Sequence, residues 1–362
     1  MKQSFAFIAA FALLFYITGC KTGEQKLSKQ EALEIAQSIE KDVINRKIDF
    51  LSSRILAPAL LQRMYQTKKV KAEAGMEQGV RQGLANNNYE KSIYALIGSN
   101  GSFQLVKYYE KENKPRLIFR AFSEGGGINY LDMELTKLND KKGIADIFIY
   151  TSGENLSVSL AEMMSKINDH YESGIGKRIK SISANVNRYK ADNDYQSAKE
   201  EFLKLPYNIR NTKIMETSYL DILSNLDQDE YMAELEKMEK KYADQPHFQL
   251  TLLDAHILRK EYDKALASIN KIDEDINKDP MLDYYRAIMY SMKNEKDTAL
   301  DLFLKVNKAY PELNDVNLEI AVNYADRKKQ EEAQKYFDAY QHSPKASEEV
   351  VSYYKEQYPF LD

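Results

Sequence analysis

Ala265, Ala299 and Ala333 stand 34 residues apart, and each is followed four residues later by a large apolar residue: Ile269, Phe303 and Phe337. A fixed period of 34 is the length of a helix–turn–helix repeat. The small residue marks the point where the two helices of one repeat approach closely, at the roughly 8–10 Å of packed helices. The residue four further on lies one turn along the same face and fills the seam. Stacked helical pairs present an extended surface for holding another molecule, so the period alone points to a binding protein.

The residues around the alanines extend the pattern. Ala287 and Tyr290 precede Ala299 by twelve and nine residues, and Ala321 and Tyr324 precede Ala333 by the same offsets. Pro311 and Pro344 follow where a proline would stop the second helix. This succession resembles the tetratricopeptide repeat, although the chain has no Trp and carries Arg286-Ala287 and Ile320-Ala321 where that repeat has Leu-Gly. Earlier units are weaker: Tyr262 and Pro280 flank Ala265, Tyr231, Met238 and Pro246 mark a poor unit, and Val186, Tyr189, Ala198, Phe202 and Pro206 mark a good one. The reading is five units over about 179–344 and a capping helix in 345–362, the alternative being an irregular helical bundle. In this repeat family five places on each first helix line the concave face. The resemblance therefore implies a partner-binding groove lined by Met281, Tyr284, Ile288, Met292, Leu318 and Val322. Those places hold none of the Lys and Asn that clamp a terminal carboxylate, so the implied partner is an apolar segment of a protein or peptide, or a second copy of this chain.

A second signal lies at the N-terminus. Lys2 is followed by an uncharged run from Phe5 to Tyr16 and then by Ile17-Thr18-Gly19-Cys20. The run is too short to span a bilayer, which needs about 20 residues, but it suits a secretory signal peptide. The four residues resemble the bacterial lipobox, and Cys20 is the single cysteine of the chain, which excludes a disulfide. The alternative is an ordinary signal peptide with an incidental cysteine. The resemblance implies removal of residues 1–19, a covalent lipid on Cys20 and membrane attachment through that anchor, with residues 20–27 as a tether. No Asp follows Cys20 directly and only Glu24 precedes Glu31, so the expected location is the periplasmic face of an outer membrane.

Between tether and repeats, residues 28–158 change character. Ser28 and Glu31 form a capping-box pattern ahead of Leu33, Ile35, Ala36, Ile39 and Val43. Further helical stretches follow near 60–64 and 72–84. Four strand-like runs then appear at 103–108, 116–120, 128–135 and 144–150, separated by Asn113-Lys114-Pro115, Gly125-Gly126-Gly127 and Asn139 to Gly143. Helices followed by consecutive strands give an α+β domain with a curved antiparallel sheet. The order, carried by Tyr130 to Leu135 and Asp146 to Tyr150, loosely resembles the cone-shaped nuclear-transport-factor-2-like fold. A connecting helix is expected over 159–178. The fold class is thus an α+β N-terminal domain followed by an all-α, tetratricopeptide-like solenoid.

Charge and motif content narrow the function. Without the leader the chain has 50 basic against 55 acidic residues, far from the basic footprint of a nucleic-acid binder. Asp132, Glu134 and Asp146 alternate with apolar residues; they either line a cavity as general bases or occupy the solvent side of a half-buried sheet. His170, His247, His256 and His342 match no metal-ligand spacing, and the triple glycine lacks a following phosphate-loop Lys. The expectation is a non-catalytic scaffold with no metal and no cofactor, the alternative being a ligand-binding or catalytic N-terminal domain.

Overall fold

The computed structural model describes residues 23–73, 75–86, 89–98, 101–124, 127–168, 175–242, 248–276 and 278–361. Residues 1–22, including the expected leader and Cys20, and His170 and His247 lie outside the described residues. Helix α1 (Lys29–Ile44) begins with the expected capping box: the Ser28 side chain accepts from Glu31 N while Glu31 accepts from Ser28 N at 2.8 Å. Helices α2 (Ala57–Gln66), α3 (Met76–Asn86) and α4 (Tyr89–Ile97) precede the strands.

Strands β1 (Ser102–Lys111), β2 (Lys114–Ser123), β3 (Gly127–Leu138), β4 (Lys141–Ile149) and the short β5 (Glu154–Asn155) form one antiparallel meander in the order 1-2-3-4-5. Two hairpins turn on two residues each. Glu112 and Asn113 have φ of 52° and 62°, and Asn139 and Asp140 have 49° and 61°. Positive φ at both central residues is the turn whose twist matches that of the strands. Register shifts at Leu105/Lys107 and Glu134/Leu135 bend the sheet. Gly143, expected in a turn, is instead inside β4. A Cβ there would sit 2.4 Å from Arg54 O, where Leu56 N donates to Ile144 O at 2.8 Å, so only glycine allows this close approach.

Helix α5 (Leu156–Asn168) leads to five antiparallel helix pairs. They are α6 (Ile175–Ala191) with α7 (Tyr195–Leu203), then, after the single-turn α8 (Tyr207–Arg210), α9 (Lys213–Ser224) with α10 (Gln228–Tyr242). Next come α11 (Gln249–Leu258) with α12 (Tyr262–Ile276), α13 (Pro280–Met292) with α14 (Lys296–Ala309), and α15 (Asn314–Asp326) with α16 (Gln330–Gln341). Ala198, Ala265, Ala299 and Ala333 are completely buried, as are Ile269, Phe303 and Phe337, as close helix approach requires. A second periodic feature accompanies them. Asn193, Lys260, Asn294 and Lys328, each five residues before one of those alanines, adopt left-handed φ of 57° to 61°. In each, the next residue's N–H returns to the carbonyl five back, for example Glu295 N to Tyr290 O at 2.8 Å and Lys329 N to Tyr324 O at 3.0 Å. This is a repeated Schellman stop, which turns the chain tightly into the second helix. The α9/α10 pair has no such residue, consistent with its poor sequence match. Helix α17 (Glu348–Gln357) packs Val350, Val351 and Tyr354 on the last pair.

The sheet is the middle layer of three. One face carries Leu117, Phe119, Leu131, Met133 and Ile147 into a core with α1, α2 and α4. The opposite face carries Ile118, Phe122, Ile128, Tyr130 and Tyr150 into a core with Leu250, Leu253, Met281, Tyr284 and the helices behind them. The expected solvent-facing side of the sheet is therefore covered by the repeats. The expected tether is also shorter than 20–27. Gln25 pairs with Lys137, Glu24 pairs with Arg63, and Leu27 is fully buried, so the chain joins the domain from Glu24 onward.

Candidate functional site

The first helices of the last three pairs turn their inner faces to the sheet, and this decides the fate of the expected groove. Met281 is 1% exposed and Tyr284 9% exposed, and the Tyr284 ring meets Phe122 of β2 edge-on at 6.1 Å. Ile288 is half-buried against the same cluster. An open groove at Met281 and Tyr284 is thus corrected: the chain's own sheet occupies it, because β2 and β3 offer an apolar second face that water would otherwise cover. Leu318 is half-buried beside the α17 cluster, Val322 is half-buried, and Met292 is 53% exposed. The six residues do not form one surface.

Polar contacts fix the junction. Asp279 caps α13, accepting from Met281 N at 3.0 Å. The same carboxylate accepts from Arg120 Nη1 at 2.5 Å and from the Tyr130 hydroxyl at 2.8 Å. Arg120 also donates to Gln104 at 3.0 Å and lies over the Tyr310 ring at 5.1 Å. Burial, and then the Asp279 carboxylate, push the Tyr130 phenol well above its ordinary value, so it remains a donor. Thr251 donates to Thr151 O at 2.5 Å. At the β2–β3 turn Glu124 accepts from Asp315 N at 3.3 Å and pairs with Lys345 at 3.1 Å.

The acids singled out in the sequence are not solvent-facing: Asp132, Glu134 and Asp146 are all buried. Asp132 pairs with Arg116 at 2.9 Å and accepts from Tyr109 at 2.6 Å. Glu134 pairs with Arg63 at 2.5 Å, Lys114 at 3.1 Å and Arg116 at 3.3 Å. Asp146 accepts from the Ser157 N–H at 3.0 Å and from its hydroxyl at 2.5 Å, at the start of α5. Burial raises the Asp146 carboxyl above the usual range. His256 is buried and bonds Glu261 at 2.9 Å, and His342 is exposed. Among the described residues no group of three or more His, Cys, Asp or Glu could hold a metal ion, and no helix is long and apolar enough to cross a membrane.

A cleft of about 600 Å³ opens where α5 meets α8, α9 and α10. Its lining includes Lys69, Lys166, Lys213 and Lys241 against Glu154 and Glu162, with Tyr207 at 69% exposure. Lys213 is 4% exposed, and its ammonium lies 4.8 Å over Tyr242 and 5.2 Å over Phe248. Burial lowers the Lys213 ammonium and raises the Glu154 carboxyl from their ordinary values. Lys69 pairs with Glu162 at 3.1 Å, and Lys241 with Glu216 at 2.8 Å. Sequence reasoning missed this cleft, since its residues come from distant segments that share no motif or period.

No family model matches the chain, and no curated protein matches it. Among solved structures, MamA 41-end from Desulfovibrio magneticus RS-1 is 12% identical over 49% of this chain and 96% of its own, with a TM-score of 0.39. A crystal structure of MamA is 15% identical over 48% and 97%, with a TM-score of 0.36. Another crystal structure of the MamA protein is 13% identical over 51% and 96%, again with 0.36. The repeat architecture rests on the helix pairs themselves rather than on these likenesses, whose TM-scores all lie below 0.5.

Proposed function

We propose that this chain is a lipid-anchored envelope protein acting as a non-catalytic scaffold, held by acyl chains on Cys20 at the periplasmic face of an outer membrane. It binds a protein or peptide partner, or another copy of itself, and neither nucleic acid nor a cofactor. The observation that carries the reading is the division of labour along the repeats. The inner face of the last three pairs is filled by the chain's own sheet, while the junction at α9 and α10 keeps an open cleft rimmed by lysines and Tyr207. A partner segment bearing carboxylates suits that lining, where four lysines stand against Glu154, Glu162 and the Glu216 that pairs with Lys241. The alternative, a ligand-binding or catalytic N-terminal domain, is weakened because Asp132, Glu134 and Asp146 are already engaged by arginines, tyrosine and the α5 terminus.

A photo-crosslinking residue at Tyr207 tests the scaffold, with one at Met292 as the reference. Crosslinks to a discrete protein in intact cells from Tyr207, and fewer from Met292, are expected. Absence of any protein adduct at both sites would sink the reading. The anchor is tested separately: Cys20→Ala should leave the fold intact and abolish acylation, seen as an unprocessed mass or a soluble protein.

A further inference from the structure

We infer that the hairpin-tip end of the sheet is the surface this protein lays against the bilayer, and that the last repeat is held away from it. The inference rests on the lipid-anchor reading and adds an orientation to it. Glu24 is gripped by Arg63, and Gln25 exchanges backbone hydrogen bonds with Lys137 at 2.8 and 2.9 Å. Lys26 reaches Glu110 at 2.6 Å and Asn113 at 2.9 Å, next to the β1–β2 turn. Lys137 lies just before the β3–β4 turn, and in a meander those two turns share one end of the sheet. The chain between Cys20 and Glu24 spans at most about 14 Å when fully extended. A lipid on Cys20 therefore keeps this end within reach of the headgroups.

The surface there suits a bilayer whose attraction comes from the anchor and not from net charge. Lys111 and Lys141 are exposed, and Lys114 and Lys142 are 43% and 39% exposed at their side chains. Glu110, Glu112 and Asp140 are interspersed among them. Long lysine stems with ammonium ends fit a headgroup layer. β2 runs from this end to Ser123, about 30 Å for ten residues. Immediately beyond it Glu124 holds Asp315 and Lys345, so the sheet is a spacer between membrane and last repeat.

The test uses the full lipid-modified protein in vesicles of phosphatidylethanolamine and phosphatidylglycerol containing a headgroup-linked energy acceptor. Acylation consumes the thiol of Cys20, so an introduced cysteine is the single labelling site. Lys111→Cys and Lys141→Cys mark the tips, and Glu349→Cys on α17 marks the distal end; all three positions are exposed. Transfer from the two tip labels severalfold stronger than from the distal label is expected. Equal transfer, or stronger transfer from Glu349→Cys, in protein that floats with the vesicles overturns the orientation alone. Protein whose mass lacks the lipid and which fails to float overturns the anchor, and the orientation with it.

Discussion

Asp279 holds Arg120 across the junction of repeats and sheet, 159 residues apart in sequence, with side chains 0% and 2% exposed. One carboxylate thus caps a helix, neutralises a buried guanidinium and accepts from Tyr130. Removing either charge alone strands the other where it is shut off from bulk solvent. Asp279→Asn or Arg120→Met should each cost about 3–5 kcal/mol, and the double variant less than the sum, because it leaves no unpaired charge. Denaturant unfolding of the three variants measures the coupling. Additive losses would mean that the two side chains act independently.

Ala299 is completely buried between α13 and α14. Ala299→Leu should overpack that contact and cost about 1–3 kcal/mol. A melting temperature equal to that of the wild type would remove the close helix approach inferred from the 34-residue period.

The left-handed stops offer a change in the opposite direction. Lys260 and Lys328 have φ of 59°, a conformation that costs a residue with a Cβ about 1–2 kcal/mol. Glycine relieves this and gives back about 0.5–1 kcal/mol through the unfolded chain. Lys260→Gly and Lys328→Gly should each therefore stabilise by about 0.5–1 kcal/mol, and Asn294→Gly by less, since Asn tolerates this region. Lower midpoints in chemical denaturation would contradict the assigned turns.

How much of this was readable beforehand follows from what kind of contact each residue makes. The alanines, the capping box and the hairpin strands obey local periods, so their spacing disclosed them. Ser28 and Glu31 close their own helix, and Ala299 meets a helix of its own repeat. Met281 and Tyr284 also sit on the expected face of α13, but what covers that face is Phe122 and its neighbours, from a distant stretch of chain. One signal of the covering was present: Leu117-Ile118-Phe119 and Ala121-Phe122 have apolar residues at both parities, as a strand buried on both faces requires. Taken as a separate module, the repeats leave those residues nothing to face. The lysine cleft had no local signature at all.

A consequence for mutagenesis is direct. Tyr284→Asp should destabilise the whole protein, because it drives a charge between Phe122 and the repeat core. Met292→Asp, at an exposed position, should stay within about 0.5 kcal/mol of the wild type. Melting curves with parallel crosslinking separate the effects. A folded Tyr284→Asp protein that loses only partner capture would restore the open groove.

Acid should destabilise the fold through the carboxylates held below their ordinary values. Those raised by burial, such as Asp146 and Glu154, take up protons earlier without that loss. The Ser28 backbone N–H, then Lys142 and the Ser28 hydroxyl, bring the Glu31 carboxyl down to about 2. Burial opposes the same shift at Glu134, but Arg63 and Lys114 outweigh it and leave that carboxyl lowered too. Both groups contribute stability in full above their unfolded values, about 4.3, and lose it as pH falls towards their folded values. The melting temperature should therefore decline from about pH 4.3 downward, and less steeply in Glu31→Gln. An unchanged acid slope in that variant would show that the cap carboxylate does not titrate as described.

Most solenoids grow or shrink by whole units, since each repeat touches only its neighbours. Here Asp279 at the start of one unit and Asp315 and Lys345 around the next are all tied to fixed points on β2 and the turn that follows it. The sheet is a ruler laid along the array. A unit duplicated between α13 and α15 would push its successors past the marks they are matched to, so the number of pairs in this stretch is set by the length of a strand.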